Sequence, residues 1–264
     1  MKTKSLLTSL FLFVITIANA QMDDKFYQPS KTMKPWEFTQ AVETISFPVE
    51  SDTITAYVVK PTQKQNGKTI VFFHGAGGNV STYQYITKPL VESGYQVFMV
   101  DVRGYGKSTG KPTHLNVAED SQKLFDSILM RNDVKNTKIY IYGASLGTQV
   151  STLLAKNNST KLAGLILDGP MESFTEIAIH FAPQYADMIR NYIHSPYSAG
   201  KDLSEVTIPK LIITTKDDQT VPYVQQSKVY EIAAEPKKRF ESTGDHLQGL
   251  VNDRDALLKA INNL

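Results

Sequence analysis

Residues 138–154 have the sequence KIYIYGASLGTQVSTLL, in which a short apolar run leads through G-x-S-x-G into an amphipathic segment. The run Lys138–Tyr142 predicts a strand, and the apolar residues from Leu146 to Leu154 recur on one face of a predicted helix. A turn this tight between a strand and a helix leaves room only for glycine two positions before and two positions after the serine. We therefore expect Ser145 at the carboxyl edge of a sheet, with its hydroxyl at a helix N-terminus, where it can serve as a nucleophile.

Comparable apolar runs recur along the chain, separated by segments of helix length. They are Thr69–Phe73, Gln96–Asp101, Leu162–Leu167 and Pro209–Thr214, with a weaker run at Lys238–Glu241. Several are apolar at consecutive positions, which is typical of parallel strands buried on both faces. Two further strands, Glu43–Val49 and Thr53–Val59, precede them with a turn at 50–52 between them. This order predicts an α/β fold, with a mostly parallel central sheet of about eight strands flanked by helices.

Three other segments resemble motifs of the α/β-hydrolase superfamily. The sequence FHGAGGN at 73–79 resembles the loop after its third strand, and DVRGYGKS at 101–108 resembles its D-x-R-G-x-G-x-S segment after the fourth strand. The sequence DQTVP at 218–222 resembles the D-x-x-V-P that follows the seventh strand. With G-x-S-x-G these motifs stand in the family's order, from about residue 46 to the C-terminus, and they are most similar to the serine aminopeptidase-like branch. The resemblance implies the α/β-hydrolase fold and a catalytic triad.

The acid and the base of that triad follow from the motif spacing and the chain order. Two acids are adjacent after the predicted strand Pro209–Thr214, and the D-x-x-V-P spacing selects Asp218 over Asp217. The base follows the last strand in the family's order of serine, acid and histidine. Of the five histidines, His246 alone lies there. We therefore predict Ser145 as nucleophile, Asp218 as acid and His246 as base.

The loop at 73–79 is the predicted oxyanion hole. The resemblance implies that the N–H groups of Ala76 and Leu146 stabilise the negative oxygen of a tetrahedral intermediate. The glycines at 75, 77 and 78 allow the main chain to approach the substrate closely. We expect His74 to have a structural role, holding this loop by hydrogen bonds.

About forty residues between Asp168 and Pro209 exceed what the bare sheet requires. Apolar residues in this segment recur at helical spacing, which predicts a short helical cap at about 169–205. Such helices can pack on the sheet, or they can line an acyl or aromatic pocket above Ser145. The candidate substrate-binding residues in the cap are Phe174, Ile177 and Phe181.

The N-terminal residues carry the features of a signal peptide. Lys2 and Lys4 precede an apolar run from Leu6 to Ile17, and the sequence Ala-Asn-Ala at 18–20 suits cleavage by a signal peptidase. We expect residues 1–20 to be removed from an exported protein, periplasmic or secreted; the alternative is a membrane anchor that stays attached. Residues 21–40 are predicted to be an extension lying on the α/β-hydrolase domain, 41–264.

Composition excludes several classes of function. The formal charge of +2 falls to zero without Lys2 and Lys4, which argues against nucleic-acid binding. The absence of cysteine excludes disulfides, thiolate metal sites and a cysteine nucleophile. After the signal peptide no apolar run of about 18 residues remains to form a stable membrane span. No metal or organic cofactor is expected.

Together these features predict a serine hydrolase of the carboxylesterase type, which cleaves a small-molecule carboxylic ester or thioester through an acyl-enzyme on Ser145. An aminopeptidase or amidase of the same fold is the first alternative. It is disfavoured because prolyl aminopeptidases carry His-Gly-Gly-Pro-Gly in the oxyanion loop and Gly-Gly after the nucleophile, where this chain has Ala76 and Gly77, and then Thr148. A hydrolase fold retained as a non-catalytic binding protein is the second alternative.

Overall fold

The computed structural model describes residues 23, 25–62 and 65–264. Within these residues the ten strands are β1 Gln28–Pro29, β2 Val42–Val49, β3 Asp52–Val59, β4 Lys68–Phe73, β5 Gly77–Gly78, β6 Gln96–Asp101, β7 Lys138–Ala144, β8 Gly164–Asp168, β9 Lys210–Thr215 and β10 Lys237–Ser242. The α-helices are α1 Gln84–Glu92, α2 His114–Leu129, α3 Gly147–Asn157, α4 Phe174–Phe181, α5 Ala186–Tyr192, α6 Ala199–Asp202, α7 Tyr223–Ile232, α8 Gly249–Asn252 and α9 Arg254–Asn262. The predicted signal peptide lies outside the described residues.

Among the described strands, eight form one sheet in the order β10-β9-β8-β7-β4-β6-β3-β2. The strands from β10 to β6 in this order are parallel, while β3 runs antiparallel to both β6 and β2. The predicted α/β fold, with a mostly parallel sheet of about eight strands, is confirmed. The sheet brings the carboxyl ends of β4, β7, β8 and β9 to one edge, where the site described below is located.

The core lies on both faces of this sheet because alternate side chains of a strand point in opposite directions. In β4, Val71 and Phe73 join one apolar cluster, and Ile70 and Phe72 join the other. Helices α2 and α3 cover the first face, and α1, α8 and α9 cover the second. Strands buried in this way are apolar at consecutive positions, which is the pattern that predicted them.

The segment between β8 and β9 contains helices α4 and α5. Helix α4 begins where the Ser173 hydroxyl oxygen accepts the Glu176 N–H at 3.0 Å, the usual arrangement of a helix N-cap. In α5, Ile189 is buried against the domain, whereas Met188 and Tyr192 are exposed. The two helices are short and lie over the edge of the sheet that carries Ser145.

Residues 25–40 lie along the surface of the domain. Gln28 and Pro29 form β1, which pairs in parallel with Gly77 and Gly78 of β5. Further along, the Trp36 ring lies 5.0 Å from that of Tyr57, centroid to centroid. None of the helices in the described part of the chain is long and apolar enough to span a bilayer.

Candidate active site

Ser145 occupies the turn between β7 and α3 in a strained conformation. Its φ of 53° is left-handed, which costs a residue with a side chain about 1–2 kcal/mol. The flanking glycines are required by space: a methyl group at Gly147 would collide with the Phe73 carbonyl oxygen, and one at Gly143 would lie 2.6 Å from Ser151 Oγ. The Ser145 N–H donates to the Asp168 carbonyl at 2.8 Å, which ties the turn to β8.

Asp218 and His246 are joined by a hydrogen bond. Asp218 Oδ2 lies 2.6 Å from His246 Nδ1 and also accepts the Gln226 side-chain amide at 2.8 Å. The other oxygen, Oδ1, accepts the N–H groups of Thr220 and Val221 at 2.8 and 2.7 Å. An ionised carboxylate has only acceptors, so Nδ1 of His246 carries a hydrogen and Nε2 keeps its lone pair. The loop at 218–222, called the acid loop below, thus fixes both the orientation and the tautomer of the imidazole.

The free nitrogen of His246 is the one that a base would use. Its Nε2 is buried and has no hydrogen-bond partner among the described residues, so no bond to Ser145 Oγ is formed. The ring lies against Gly169, where an added methyl group would be 2.8 Å from Cε1 of the imidazole. Gly169 follows Asp168, whose carbonyl holds Ser145. The backbone at 168–169 therefore contacts both Ser145 and the imidazole of His246. Hydrogen bonds between a catalytic serine and its histidine commonly tighten only when substrate binds.

Two neighbouring acids do not reach the imidazole as Asp218 does. Asp217 is exposed, and its carbonyl accepts the Gln219 side-chain amide at 3.0 Å. Asp245 Oδ1 accepts the N–H groups of Gln219 and His246 at 3.0 and 2.7 Å, and these bonds lower the pKa of Asp245. Asp245 thus links the acid loop to the loop that carries His246, through main-chain N–H groups of both. Nothing in the sequence indicated this role.

The two predicted oxyanion donors lie beside Ser145. Ala76 and Leu146 line the same cavity as Ser145, and neither N–H donates to another described residue. His74 Nδ1 donates to the Gly75 carbonyl at 2.7 Å. Burial lowers the pKa of His74 to about 4, so the neutral ring with its Nδ1 hydrogen persists at ordinary pH. Because a peptide unit is planar, holding the Gly75 oxygen points the Ala76 N–H the opposite way.

The cavity next to Ser145 has a volume of about 360 Å³ and mostly apolar walls. Ile177 and Phe181 of α4 line it, as the sequence predicts, together with Met171, Ala178 and Ile193. Another part of the wall is formed by the N-terminal residues Lys25, Phe26 and Gln28, and Thr220 and Val221 of the acid loop complete it. The N-terminal contribution was not expected from the sequence.

The third predicted substrate-binding residue, Phe174, lies outside this cavity. Its side chain is fully buried and does not line the cavity. The ring stacks on His114 with 3.6 Å between centroids and meets Phe26 edge-on at 5.2 Å. As the first residue of α4, Phe174 faces the N-terminus of α2 and packs the cap onto the domain.

Asp168 is a buried acid at this site that the sequence did not single out. The Tyr142 hydroxyl donates to Asp168 Oδ2 at 2.7 Å. Burial raises the pKa of Asp168 to about 6, against the Tyr142 hydrogen bond and the nearby His246, which lower it. Its position at the end of the strand next to β7 was the available signal. Over the described ranges, no three His, Asp or Glu side chains converge as metal ligands.

Comparison with known proteins shows the family. A family model described as serine aminopeptidase, S33, matches residues 64–199, more than half of the chain. The Escherichia coli K12 protein YfhR is 28% identical over 222 residues, covering 82% of this chain and 74% of its own. The lysophosphatidylserine lipase ABHD12 of Rattus norvegicus is 30% identical over 193 residues, which are 66% of this chain but only 47% of that protein.

Solved structures show the same fold. The Pyrococcus furiosus esterase Pf2001 superposes with a TM-score of 0.71 at 14% identity, covering 89% of this chain and 97% of its own. Est1E of Butyrivibrio proteoclasticus, solved with ferulic acid bound, superposes with a TM-score of 0.67 at 21% identity, covering 83% and 99%. The matched family region includes the G-x-S-x-G turn and the loop at 73–79 that is predicted to form the oxyanion hole. This chain therefore belongs to the serine aminopeptidase S33 family of α/β hydrolases.

Proposed function

We propose that this chain is a serine hydrolase that cleaves a carboxylic ester or thioester through an acyl-enzyme on Ser145. The observation that carries the proposal is the 2.6 Å hydrogen bond between Asp218 and His246 Nδ1, which leaves Nε2 free. The imidazole lies against Gly169, next to the residue whose carbonyl holds Ser145 at φ 53°. This is the arrangement in which an imidazole can accept a proton from a serine hydroxyl. The apolar cavity beside Ser145 supplies the space for an acyl group.

In the proposed reaction, Ser145 Oγ attacks the carbonyl carbon while its proton passes to His246 Nε2. Asp218 stabilises the imidazolium that forms. The N–H groups of Ala76 and Leu146 donate to the oxyanion, and each such donor is worth about 3–4 kcal/mol of the barrier. The intermediate collapses, and the leaving alcohol or thiol takes the proton from Nε2. Water, deprotonated by His246, then attacks the acyl-enzyme to release the acid and free Ser145.

The walls of the cavity favour an ester substrate over a peptide with a free α-amino group. An aminopeptidase must bind the α-ammonium group of its substrate, which calls for a carboxylate in the site. No Asp or Glu lines the cavity within the described residues, and its single charged residue is Lys25, which repels a cation. The names of two similar proteins, the esterase Pf2001 and the lipase ABHD12, support ester cleavage as well.

The proposal is tested with a fluorophosphonate probe and with p-nitrophenyl esters from acetate to decanoate. We expect the wild type to be labelled and to hydrolyse these esters, and Ser145→Ala to lose both activities while keeping its unfolding temperature. Ser204→Ala, which removes an exposed hydroxyl, serves as the control. Alanine p-nitroanilide should remain uncleaved.

Three results would count against the proposal. Residual esterase activity of Ser145→Ala within tenfold of the wild type would remove Ser145 from the mechanism. Cleavage of the anilide in preference to every ester would indicate an aminopeptidase. A wild type that binds esters but is neither labelled nor active would indicate a binding protein.

We also propose that the protein is exported after cleavage following Ala20. The support is the charged and then apolar N-terminal sequence that ends in Ala-Asn-Ala at 18–20. The intact mass of the protein recovered from its natural host should correspond to a chain that begins at Gln21. A mass that includes residues 1–20 would contradict the proposal.

A further inference from the structure

Residues 75–78 of the oxyanion loop include three glycines. An oxyanion donor, however, needs an N–H group with a fixed direction. Glycine leaves the main chain free to adopt many conformations, so the loop does not define the direction of the Ala76 N–H by itself. In the structure the carbonyl oxygens of all four residues accept hydrogen bonds from residues outside 75–78. Gly75 accepts from His74 Nδ1 at 2.7 Å, and Ala76 accepts from Tyr105 Oη at 2.6 Å and from Gln28 N at 3.0 Å. Gly77 accepts from Tyr83 Oη at 3.0 Å, and Gly78 accepts from Ser30 N at 2.8 Å.

Tyr105 holds Ala76, the residue of this loop whose N–H is the proposed oxyanion donor. Its side chain is buried, its hydroxyl donates to the Ala76 carbonyl at 2.6 Å, and its ring lies 4.5 Å from that of His74. The two side chains act on different peptide units: His74 fixes the one before Ala76 and Tyr105 fixes the one after it. Each unit is planar, so His74 orients the unit that contains the Ala76 N–H and Tyr105 orients the next one. Holding both units prevents rotation at Ala76 and keeps its N–H in one direction.

The N-terminal segment completes this support. The Gln28 N–H lies 3.0 Å from both the Ala76 carbonyl oxygen and the Tyr105 hydroxyl oxygen, so it donates to both. The residues before it are fixed on α2, since Tyr27 Oη lies 3.0 Å from His114 Nδ1 and the Asp23 carboxylate accepts the His114 N–H at 2.8 Å. A strand of only two residues is thereby held at the back of the oxyanion loop.

We propose that Tyr105 is a positioning residue of the reaction. Its hydroxyl, together with the main-chain N–H of Gln28, holds Ala76 in the conformation that directs its N–H at the oxyanion. This inference rests on the proposed function, because it assigns Tyr105 to the transition state of that reaction. Tyr105 acts through Ala76, and its side chain does not line the cavity beside Ser145.

The first test is Tyr105→Phe, which removes the hydroxyl and keeps the ring. Complete loss of an oxyanion donor costs about 10²–10³ in kcat, so a misdirected one should cost about tenfold. We expect kcat for p-nitrophenyl butyrate to fall by that factor while KM stays within twofold. The inhibition constant of an alkyl trifluoromethyl ketone, whose adduct with Ser145 carries an oxyanion, should rise by the same factor. Tyr95→Phe, which removes a hydroxyl bonded to Asn262 at 2.7 Å, is the matched control and should change neither constant.

The second test addresses Gln28. Gln28→Pro removes the N–H, whereas Gln28→Ala keeps it. Because Gln28 also lines the cavity, the effect of the N–H is the difference between the two variants, and kcat of Gln28→Pro should be about tenfold below that of Gln28→Ala. Because Gln28→Pro and Tyr105→Phe act on one hydrogen-bonded unit, the double variant should lose less than the product of the two single effects.

Two outcomes separate this inference from the proposed function. If Tyr105→Phe lowers the unfolding temperature but keeps the wild-type kcat and ketone affinity, the residue is structural and the inference is wrong, while the hydrolase stands. If the wild type itself neither turns over esters nor reacts with a fluorophosphonate, the proposed function fails, and the positioning role fails with it.

Discussion

Replacing Asp218 with asparagine changes one carboxylate oxygen into an amide nitrogen, in a place where every surrounding group is a donor. Oδ1 accepts the N–H groups of Thr220 and Val221, and Oδ2 accepts the side chains of Gln226 and His246. The amide oxygen is expected to remain with the two main-chain groups. Its NH₂ group then faces Gln226 and the imidazole, and two donors cannot share a hydrogen bond.

The imidazole can adapt to this change only by exchanging its tautomer. If His246 accepts a hydrogen bond at Nδ1, its own hydrogen moves to Nε2, and it can no longer take the proton of Ser145. A triad acid replaced by its amide in this way costs about 10⁴ in kcat, which corresponds to about 5.4 kcal/mol in the activation barrier. Substrate binding does not involve Asp218, so KM should change little.

The measurement is kcat for p-nitrophenyl butyrate together with the unfolding temperature. Asp217→Asn is the control, because this exposed neighbour differs by one position and should retain activity within a few-fold of the wild type. An Asp218→Asn enzyme within tenfold of the wild type would refute the assignment of the acid. A larger loss in Asp217→Asn than in Asp218→Asn would transfer the role to Asp217.

Three further predictions concern stability and the cavity. Gly147→Ala should lower the free energy of unfolding by at least about 2 kcal/mol in chemical denaturation, because its methyl group meets a main-chain carbonyl of β4. The control Gly77→Ala has nothing within 4 Å of the added methyl group and should cost much less. Equal losses in the two variants would contradict the steric argument. Phe181→Ala should reduce kcat/KM for octanoate esters about fivefold through lost apolar contact, whereas Tyr192→Ala, exposed on the same cap but outside the cavity, should not. Burial raises the pKa of Asp101 to about 7, so the folded state keeps this proton to a higher pH than the unfolded chain. The stabilisation from Asp101 is complete below about pH 4 and is lost as the pH rises to about 7. Asp101→Asn should therefore reduce the decline of the unfolding free energy over that range; a pH profile like that of the wild type would contradict the pKa.

The fold could be predicted because its signals are local. Strands β4, β6, β7 and β9 are apolar at consecutive positions, and G-x-S-x-G marks the turn between β7 and α3. Helix α7 shows no clear apolar periodicity, because two of its buried residues are the polar Gln225 and Gln226. Gln226 is buried because it forms hydrogen bonds with Asp218 and with the Thr215 N–H, and a pattern of apolar residues does not indicate such bonds.

The site was predictable where sequence order determines it and not where packing does. His246 was selected by its place after the last strand. Phe174, Ile177 and Phe181 share helical spacing, but only contact with His114 decides that Phe174 faces inward. The pairing of β1 with β5 involves main-chain groups alone, so the side chains of Gln28 and Pro29 gave no sign of it.

Gly169 carries a consequence for how relatives of this chain should be compared. The imidazole of His246 rests on its bare Cα, and even a methyl group there would come within 2.8 Å of the ring. Its φ of 56° is a second reason for glycine, since other residues adopt that angle only with strain. We therefore expect that a homologue that keeps the serine, acid and histidine but carries a larger residue at this position has its imidazole displaced by as little as one added carbon atom. A comparison of the three triad positions alone would class such a protein as active, whereas a comparison that includes position 169 would class it as inactive.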